Sequence, residues 1–196
     1  MVEVNDHMGD RINMKNRKSG LVGVTAVYGA SGTDGRRLAW PLLERAVRLR
    51  WGWTELPPTE CSPRGKPLFR GLENRWFSLS HSGGLALCAL SDFPVGVDIE
   101  IVRPRRSGLP RRLLSGNELA AFDGTWADFY RVWTLTESWC KREDAPLYPP
   151  RAVETPPPCP YKSYAGADWR GAVCCHDAPP EDIIWLELLC EKEETV

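Results

Sequence analysis

The sequence has no apolar run near the ~20 residues that a membrane-spanning helix requires, and the stretches Leu21–Ala30 and Leu85–Leu90 are only strand-sized. Its first twenty residues carry Asp6, Asp10, Arg11, Lys15, Arg17 and Lys18 with no apolar core, so a secretory signal is not expected there. A frayed, disordered tail or an unusual leader is the expectation for residues 1–20. There is no CxxC pair to suggest zinc. The seven cysteines (61, 88, 140, 159, 174, 175 and 190) are odd in number and irregularly spaced, which does not suggest a disulfide framework. His176 beside Cys175 reads as a chance neighbour rather than part of a metal cluster, and a cytoplasmic location is the default expectation. No GxSxG is present, which excludes a serine-hydrolase elbow. Net charge is also lacking: 25 Lys and Arg against 26 Asp and Glu leave -1, so no whole-protein field exists to hold nucleic acid. A local basic patch stays open.

What is present is an ordinary globular composition, 42% hydrophobic and 26% charged over 196 residues, enough for one large domain or two small ones sharing a core. Leu21–Tyr28 reads as a buried strand. Leucines and small apolar residues at helical spacing predict a helix over Arg36–Trp51, with Pro41 placing its true start near Trp40. A proline-rich irregular stretch, Glu55–Gly71, follows. Two strands, Arg75–Ser80 and Leu85–Ser91, are expected to join across His81-Ser82-Gly83-Gly84. A third strand spans Val95–Ile101. A basic loop, Arg103–Arg112, leads to a helix over Ser115–Phe122 with a Ser115/Glu118 capping pattern. The strongest helix runs from Asp128 to Arg142, and Pro146–Pro160 breaks it. Strands Tyr161–Ala165 and Ala172–His176 flank a turn, and Asp182–Leu189 ends the chain as a strand or short helix. Strand, helix, proline-rich loop and hairpin therefore occur twice in the same order, pointing to two similar α+β lobes that meet near Asp92–Pro94. Sites commonly form where such lobes meet.

Three segments carry chemistry. In Gly96-Val97-Asp98-Ile99-Glu100, strand alternation puts Asp98 and Glu100 on one face. Two neighbouring carboxylates repel, which a bound Mg²⁺ would resolve; an exposed acidic strand face is the plainer reading. On the predicted helix, Trp133, Glu137 and Lys141 are spaced four apart and form one row. As a surface pair, Glu137 and Lys141 would be worth only about 0.3–0.5 kcal/mol. Burial among the apolar neighbours would instead call for a partner such as a metal–phosphate complex. In Phe77-Ser78-Leu79-Ser80-His81-Ser82-Gly83-Gly84, Ser78 and Ser80 share a face, and His81 precedes a glycine turn. His81 is there either a hydrogen-bonded structural residue or a phosphate-binding group.

Gly65-Lys66-Pro67, the Phe-Ser-x-Ser-His-Ser run, Gly-Val-Asp-Ile-Glu and Trp-Thr-x-x-Glu-x-x-x-Lys stand in the order and spacing of the phosphopantetheinyl transferases. The chain resembles their surfactin-synthetase-activating (Sfp-like) branch over about Leu21–Leu189. That resemblance implies an α+β fold of two pseudo-twofold-related lobes, each a small antiparallel sheet packed with helices, over 21–93 and 94–196, in a monomer with its site at the lobe interface. It implies transfer of the phosphopantetheine arm of coenzyme A to a serine of an acyl or peptidyl carrier protein, with release of adenosine 3′,5′-bisphosphate. It further implies Asp98, Glu100 and Glu137 as Mg²⁺ ligands, Lys141 on the phosphates, and Ser80 and His81 as phosphate contacts. Arg36 would grip the 3′-phosphate, Gly65-Lys66-Pro67 would touch the adenine end, and Glu118 would lie near the reaction centre. Glu137 or a metal-bound water that it orients would be the general base.

The sequence departs from the family at Thr136, where a lysine is usual, and in the shortened Tyr28–Arg36 region, whose 3′-phosphate-binding basic residues have no counterpart. Arg37 or Lys15, Arg17 and Lys18 are candidate replacements. Arg103, Arg105, Arg106, Arg111 and Arg112 follow the acidic strand and are either a carrier-docking surface or a solvated loop. A non-catalytic carrier-binding relative and, more remotely, a metal-dependent nuclease are the rival readings. Neither nucleic acid nor membrane is expected as a partner, and which carrier is served (fatty-acid, polyketide or nonribosomal-peptide) is not encoded in the motifs.

Overall fold

The computed structural model describes residues 25–30, 34–147 and 156–186. The N-terminal tail, the start of the first expected strand, part of the proline-rich break and the end of the last expected element lie outside the described residues.

β1 (Thr25–Ala30) leads to α1 (Gly35–Trp51), then to a small hairpin, β2 (Thr59–Cys61) and β3 (Pro67–Phe69). The hairpin of β4 (Trp76–Ser82) and β5 (Leu85–Ser91) follows, and then β6 (Gly96–Ile101). Three helices come next, α2 (Leu109–Leu113), α3 (Gly116–Ala121) and α4 (Trp126–Glu143). β7 (Tyr161–Ala165), β8 (Trp169–Cys174) and the short β9 (Ile184–Trp185) complete the order. One sheet runs β4-β5-β1-β9, a second β6-β8-β7, and β2 pairs only with β3. In the first sheet β5 lies antiparallel between β4 and β1, and in the second β8 lies antiparallel between β7 and β6. The expected repeat of strand, helix and hairpin is thus present as connectivity: β1-α1-β4-β5 and β6-α4-β7-β8 each bring the last strand beside the first. β9, from the far end of the chain, pairs in parallel with β1.

The layers follow from where apolar side chains go. Leu38, Leu42, Leu43, Ala46 and Val47 line the inner face of α1 and pack with Phe77, Ala86, Cys88 and Leu90. Alternation sends Leu87 and Ala89 of β5 to the other face, against Val97, Ile99 and Val173 of the second sheet. β5 therefore reads as a continuous apolar run because both of its faces are covered. On the far face of the second sheet, Leu135 of α4 meets Ala172 and Cys174. The order is helix, sheet, sheet, helix, a mixed α and β architecture.

α1 starts at Gly35, five residues before the expected start near Trp40. Asp34 caps it, accepting from the Arg36 N–H at 2.9 Å. Pro41 is tolerated inside the helix because it and Arg37 are both exposed, so the carbonyl it cannot bond is on the watered side. β4 extends two residues further than expected, leaving only Gly83-Gly84 as the turn, with Gly83 at φ 55°. β8 begins at Trp169 rather than Ala172 and ends at Cys174. β2, β3 and α2 occur where only loop was expected.

The two sheets meet at their edges in an unusual way. β6 is an edge strand whose Val97, Ile99 and Ile101 N–H groups are taken by the hydroxyls of Ser78, Ser80 and Ser82 on β4, at 3.1, 3.3 and 3.2 Å. A ladder of serine oxygens does here what a neighbouring strand's carbonyls do inside a sheet, and it covers an edge that would otherwise be open. Above it, α4 lies directly on β6. A Cβ at Gly96 would fall 1.9 Å from the Ser138 carbonyl oxygen, so only glycine allows this approach.

Candidate functional site

β6 turns Val97 and Ile99 into the core between the sheets and leaves Asp98 and Glu100 for the face beneath α4, the alternation expected from the sequence. From α4, Glu137 and Lys141 reach down one turn apart. The Lys141 Nζ donates to Asp98 Oδ1 at 2.7 Å and to Ser80 Oγ at 3.0 Å, and it lies 3.9 Å from Glu137 Oε2. Ser80 in turn donates to Asp98 Oδ1 at 2.6 Å, and Ser82 donates to Glu100 Oε2 at the same distance. The same serines thus accept from the β6 backbone and donate to the β6 carboxylates. Trp133, the first member of the helical row, is buried with Leu114, Phe129 and Tyr130 and steadies the helix rather than entering the cluster.

Three carboxylates against one ammonium leave excess negative charge in a half-dry place. The side chain of Asp98 is only 2% exposed, and its Oδ2 is buried with no hydrogen-bond partner among the described residues. Burial, and then the charge of Asp98, push the Glu137 carboxyl up to about 8, so it holds a proton at neutral pH. Burial raises Glu100 as well, against the Ser82 hydrogen bond that lowers it. Burial alone would lower Lys141, but the charges of Asp98, Glu137 and Glu100 outweigh it and raise its pKa. Among the described residues no three His, Cys, Asp or Glu side chains are gathered as a metal-binding group; the arrangement is a carboxylate–ammonium cluster. Its chemistry nonetheless fits a hard divalent cation. All three carboxylates offer oxygen ligands, Asp98 Oδ2 is left over, and the surplus negative charge is relieved only by a proton on Glu137.

Glu137 and Lys141 of the cluster line a cleft of about 290 Å³ together with Gly65-Lys66-Pro67 of the β2–β3 hairpin, while Asp98 and Ser80 lie behind them. The hairpin is pinned to the end of α4, because Ser62 accepts from the Lys66 N–H at 3.1 Å and donates to Asp144 Oδ1 at 2.9 Å. The Lys66 Nζ itself points inward, donating to the Val95 carbonyl at 3.1 Å above the Trp76 ring, and burial lowers its pKa to about 8. Leu79 and Leu147 add apolar surface, suited to a flat base or an alkyl segment.

The structure therefore brings Ser80, Asp98, Glu137 and Lys141 together, and Gly65, Lys66 and Pro67 line the cleft that Glu137 and Lys141 reach. Glu100 adjoins, held by Ser82. His81 points away from Ser80, as the β4 alternation requires, and is exposed. Arg36 is exposed in the first turn of α1, which is docked at the β4–β5 turn by the Gly35 N–H bond to the Gly83 carbonyl at 2.7 Å. Arg36 and His81 thus stand at one end of β4 rather than inside the cleft. Glu118 is occupied as a helix cap: its Oε2 accepts from the Ser115 N–H at 2.6 Å. Arg105 donates to the Tyr130 hydroxyl at 3.2 Å and, with Arg106, borders a second cavity of about 360 Å³ that also reaches Glu100 and Trp133. Thr136 is 5% exposed and donates to the Val132 carbonyl, away from the cleft. Sequence reasoning missed the supporting roles of Ser78 and Ser82; the signal was the period of two in Ser78-x-Ser80-x-Ser82.

No protein-family model matches the chain. It is similar to curated 4′-phosphopantetheinyl transferases, as the motifs led us to expect. The chain is 33% identical over 145 residues to the transferase ffp of Bacillus subtilis, a match covering 62% of this chain and 65% of that protein. It is 32% identical over 142 residues to Sfp of Bacillus subtilis (strain 168), covering 61% and 63%. With AcpT of Salmonella typhi the identity is 36% over 115 residues, covering 55% and 59%. The chain spans less than two thirds of the length of these relatives.

Proposed function

We propose that the chain is a 4′-phosphopantetheinyl transferase, moving the phosphopantetheine arm of coenzyme A to a serine of an acyl or peptidyl carrier protein and releasing adenosine 3′,5′-bisphosphate. The observation that carries this reading is that Glu137 and Lys141 share one cleft with Gly65-Lys66-Pro67, with Asp98 and Ser80 bonded to Lys141 behind them. This arrangement offers an ammonium for phosphate, surplus carboxylate oxygens for a cation, and apolar surface for a nucleoside.

In this reading Mg²⁺ is held by Asp98, Glu100 and Glu137, and when bound it supplies charge neutralisation to the pyrophosphate. The protein's own groups do the rest. Lys141 sits where it can swing its ammonium from Asp98 to a phosphate oxygen, and Ser80 keeps Asp98 in place as it does so. The carrier serine oxygen attacks the β-phosphorus in line, and the bond to the nucleotide breaks. Glu137, once its own proton has been displaced, accepts the proton of that hydroxyl. The β2–β3 loop touches the adenine end, and Arg36 and His81 approach the phosphates from the rim. The arginines at 105 and 106 meet the acidic face of the carrier.

The shared connectivity of the two halves supports a pair of pseudo-twofold-related lobes over 21–93 and 94–196, with β9 crossing back to the first. The enzyme is proposed to work as a cytoplasmic monomer. No helix among the described residues is long and apolar enough to cross a membrane.

A second reading, a carrier-binding relative without turnover, draws on the Lys141 ammonium seated on Asp98 and on the buried Thr136. The two are separated by incubating the protein with coenzyme A, Mg²⁺ and an apo carrier protein and following adenosine 3′,5′-bisphosphate by chromatography. Release that depends on the carrier and is abolished by Asp98→Asn supports transfer. Carrier binding with no nucleotide released, across several carriers, would leave the second reading.

A further inference from the structure

The described cysteines are free thiols, and two of them pack together between α4 and β8. Tyr161 stands opposite Cys174 in the β7–β8 register, and the Cys175 N–H bonds the Pro160 carbonyl at 3.0 Å. That pairing folds Cys159, the residue before Pro160, back over β8. There it packs against Leu135, Ala172 and Cys174. Strand alternation separates the two neighbouring thiols of β8. Cys174 faces α4, with its Sγ 3.2 Å from Ser138 Oγ, while Cys175 turns into the core between the sheets and donates to the Asp177 carbonyl at 2.9 Å. The Cys159 thiol thus meets the thiol of Cys174, and of Cys175 it meets the backbone N–H. Cys174 is fully buried, whereas Cys159 is half-buried and reachable.

We propose that Cys159 and Cys174 form an oxidisable thiol pair, which a hydroperoxide converts to an intramolecular disulfide fastening the segment before β7 onto β8. The Cys159 thiolate attacks one peroxide oxygen, the O–O bond breaks, and the departing alkoxide or hydroxide takes up a proton, leaving a sulfenic acid on Cys159. The Cys174 sulfur then attacks the sulfenic sulfur. The S–S bond forms, the S–O bond breaks, and the hydroxide leaves as water with the Cys174 proton. Two thiols give up two electrons and two protons, and the peroxide becomes an alcohol (or water) and a water.

The two thiols are suited to unequal parts. The hydrogen bond from Cys174, with the charge of Arg142 and the Cys175 N–H, brings Cys159 down to about 7 against the effect of burial, so the outer thiol is partly ionised at neutral pH. The same contact together with burial pushes Cys174 far up, so the inner thiol keeps its proton until the second step.

The test treats the full chain with one equivalent of hydrogen peroxide, blocks free thiols with N-ethylmaleimide in denaturant, and digests without reduction for peptide mass spectrometry. We expect a Cys159–Cys174 cross-linked peptide that disappears on reduction, formed with a rate that is half-maximal near pH 7. The oxidised protein should also melt at higher temperature than the reduced one. Because Cys174→Ser alters a fully buried side chain, the informative variant is Cys159→Ser. With an unchanged far-UV spectrum, it should yield no cross-link and leave Cys174 fully alkylated. Recovery of Cys159 as sulfinic acid with Cys174 still alkylatable, of a Cys159–Cys175 link in equal amount, or of both thiols unmodified would overturn the proposal.

Discussion

Replacing Ser80 by alanine removes a single oxygen on which three groups converge. That oxygen accepts from the Ile99 N–H at 3.3 Å and from the Lys141 ammonium at 3.0 Å, and it donates to Asp98 Oδ1 at 2.6 Å. The residue is 6% exposed, so water does not replace it freely. An orphaned buried N–H costs about 1–3 kcal/mol, and a hydrogen bond to a charged group about 1.5–3 kcal/mol, with partial overlap between the two. Ser80→Ala should therefore lower stability by about 2–4 kcal/mol. Ser78→Ala is the internal control. It leaves the Val97 N–H, 3.1 Å from Ser78 Oγ, without its acceptor but touches no charge, for a loss of about 1–2 kcal/mol. Urea unfolding of both variants, in EDTA, gives the two losses from the shift in midpoint at unchanged slope. The reasoning fails if Ser80→Ala costs no more than Ser78→Ala, because the hydroxyl would then be a bystander between Asp98 and Lys141.

Glu137 gives a pH signature in the metal-free protein. Its folded pKa, about 8, stands above its ordinary 4.5, so between these values the folded state binds a proton that the unfolded chain has lost. Stability should therefore fall as pH rises from about 4.5 to about 8, and Glu137→Gln should flatten that decline, as measured by urea unfolding in EDTA at pH 5 and pH 8. Thr136→Lys, which would introduce the lysine usual in the phosphopantetheinyl transferases that the chain resembles, places an ammonium where a 5%-exposed hydroxyl now bonds the Val132 carbonyl. It should cost on the order of 3 kcal/mol and lower the melting temperature rather than raise turnover; a gain in activity without loss of stability would refute this. Charge reversal of Arg105 and Arg106 should raise the KM for the carrier and leave the Kd for coenzyme A unchanged, as read by carrier titration and calorimetry.

The legible parts of this fold were those set by local pattern. The alternation of Val97 and Ile99 against Asp98 and Glu100 held, as did the Ser115/Glu118 cap and the row that places Glu137 one turn before Lys141. The start of α1 was missed because Pro41 reads as a boundary; the Asp34 cap and an exposed carbonyl at Arg37 override it. β2 and β3 were missed, and Asp182–Leu189 stayed open between strand and helix, because strands of two or three residues are fixed by their neighbours, Asp144 at the β2–β3 hairpin and β1 beside β9, and not by their own composition. The opposite fates of Ser80 and His81 were half legible. Period-two alternation separates adjacent residues, but only the parallel approach of β4 to β6 shows that the serine side, and not the histidine side, meets the carboxylates. The contact between Cys159 and Cys174 depends on the β7–β8 register and on the helix packed over it, and no spacing in the sequence signals it.

The most direct measurement is the intact mass of an apo carrier protein after incubation with this protein, coenzyme A and Mg²⁺. We expect a gain equal to one phosphopantetheine arm, lost when EDTA is added or when Glu137→Gln replaces the native protein. An unchanged mass for fatty-acid and peptide-synthetase carriers alike, with coenzyme A binding intact, would contradict the proposed transfer.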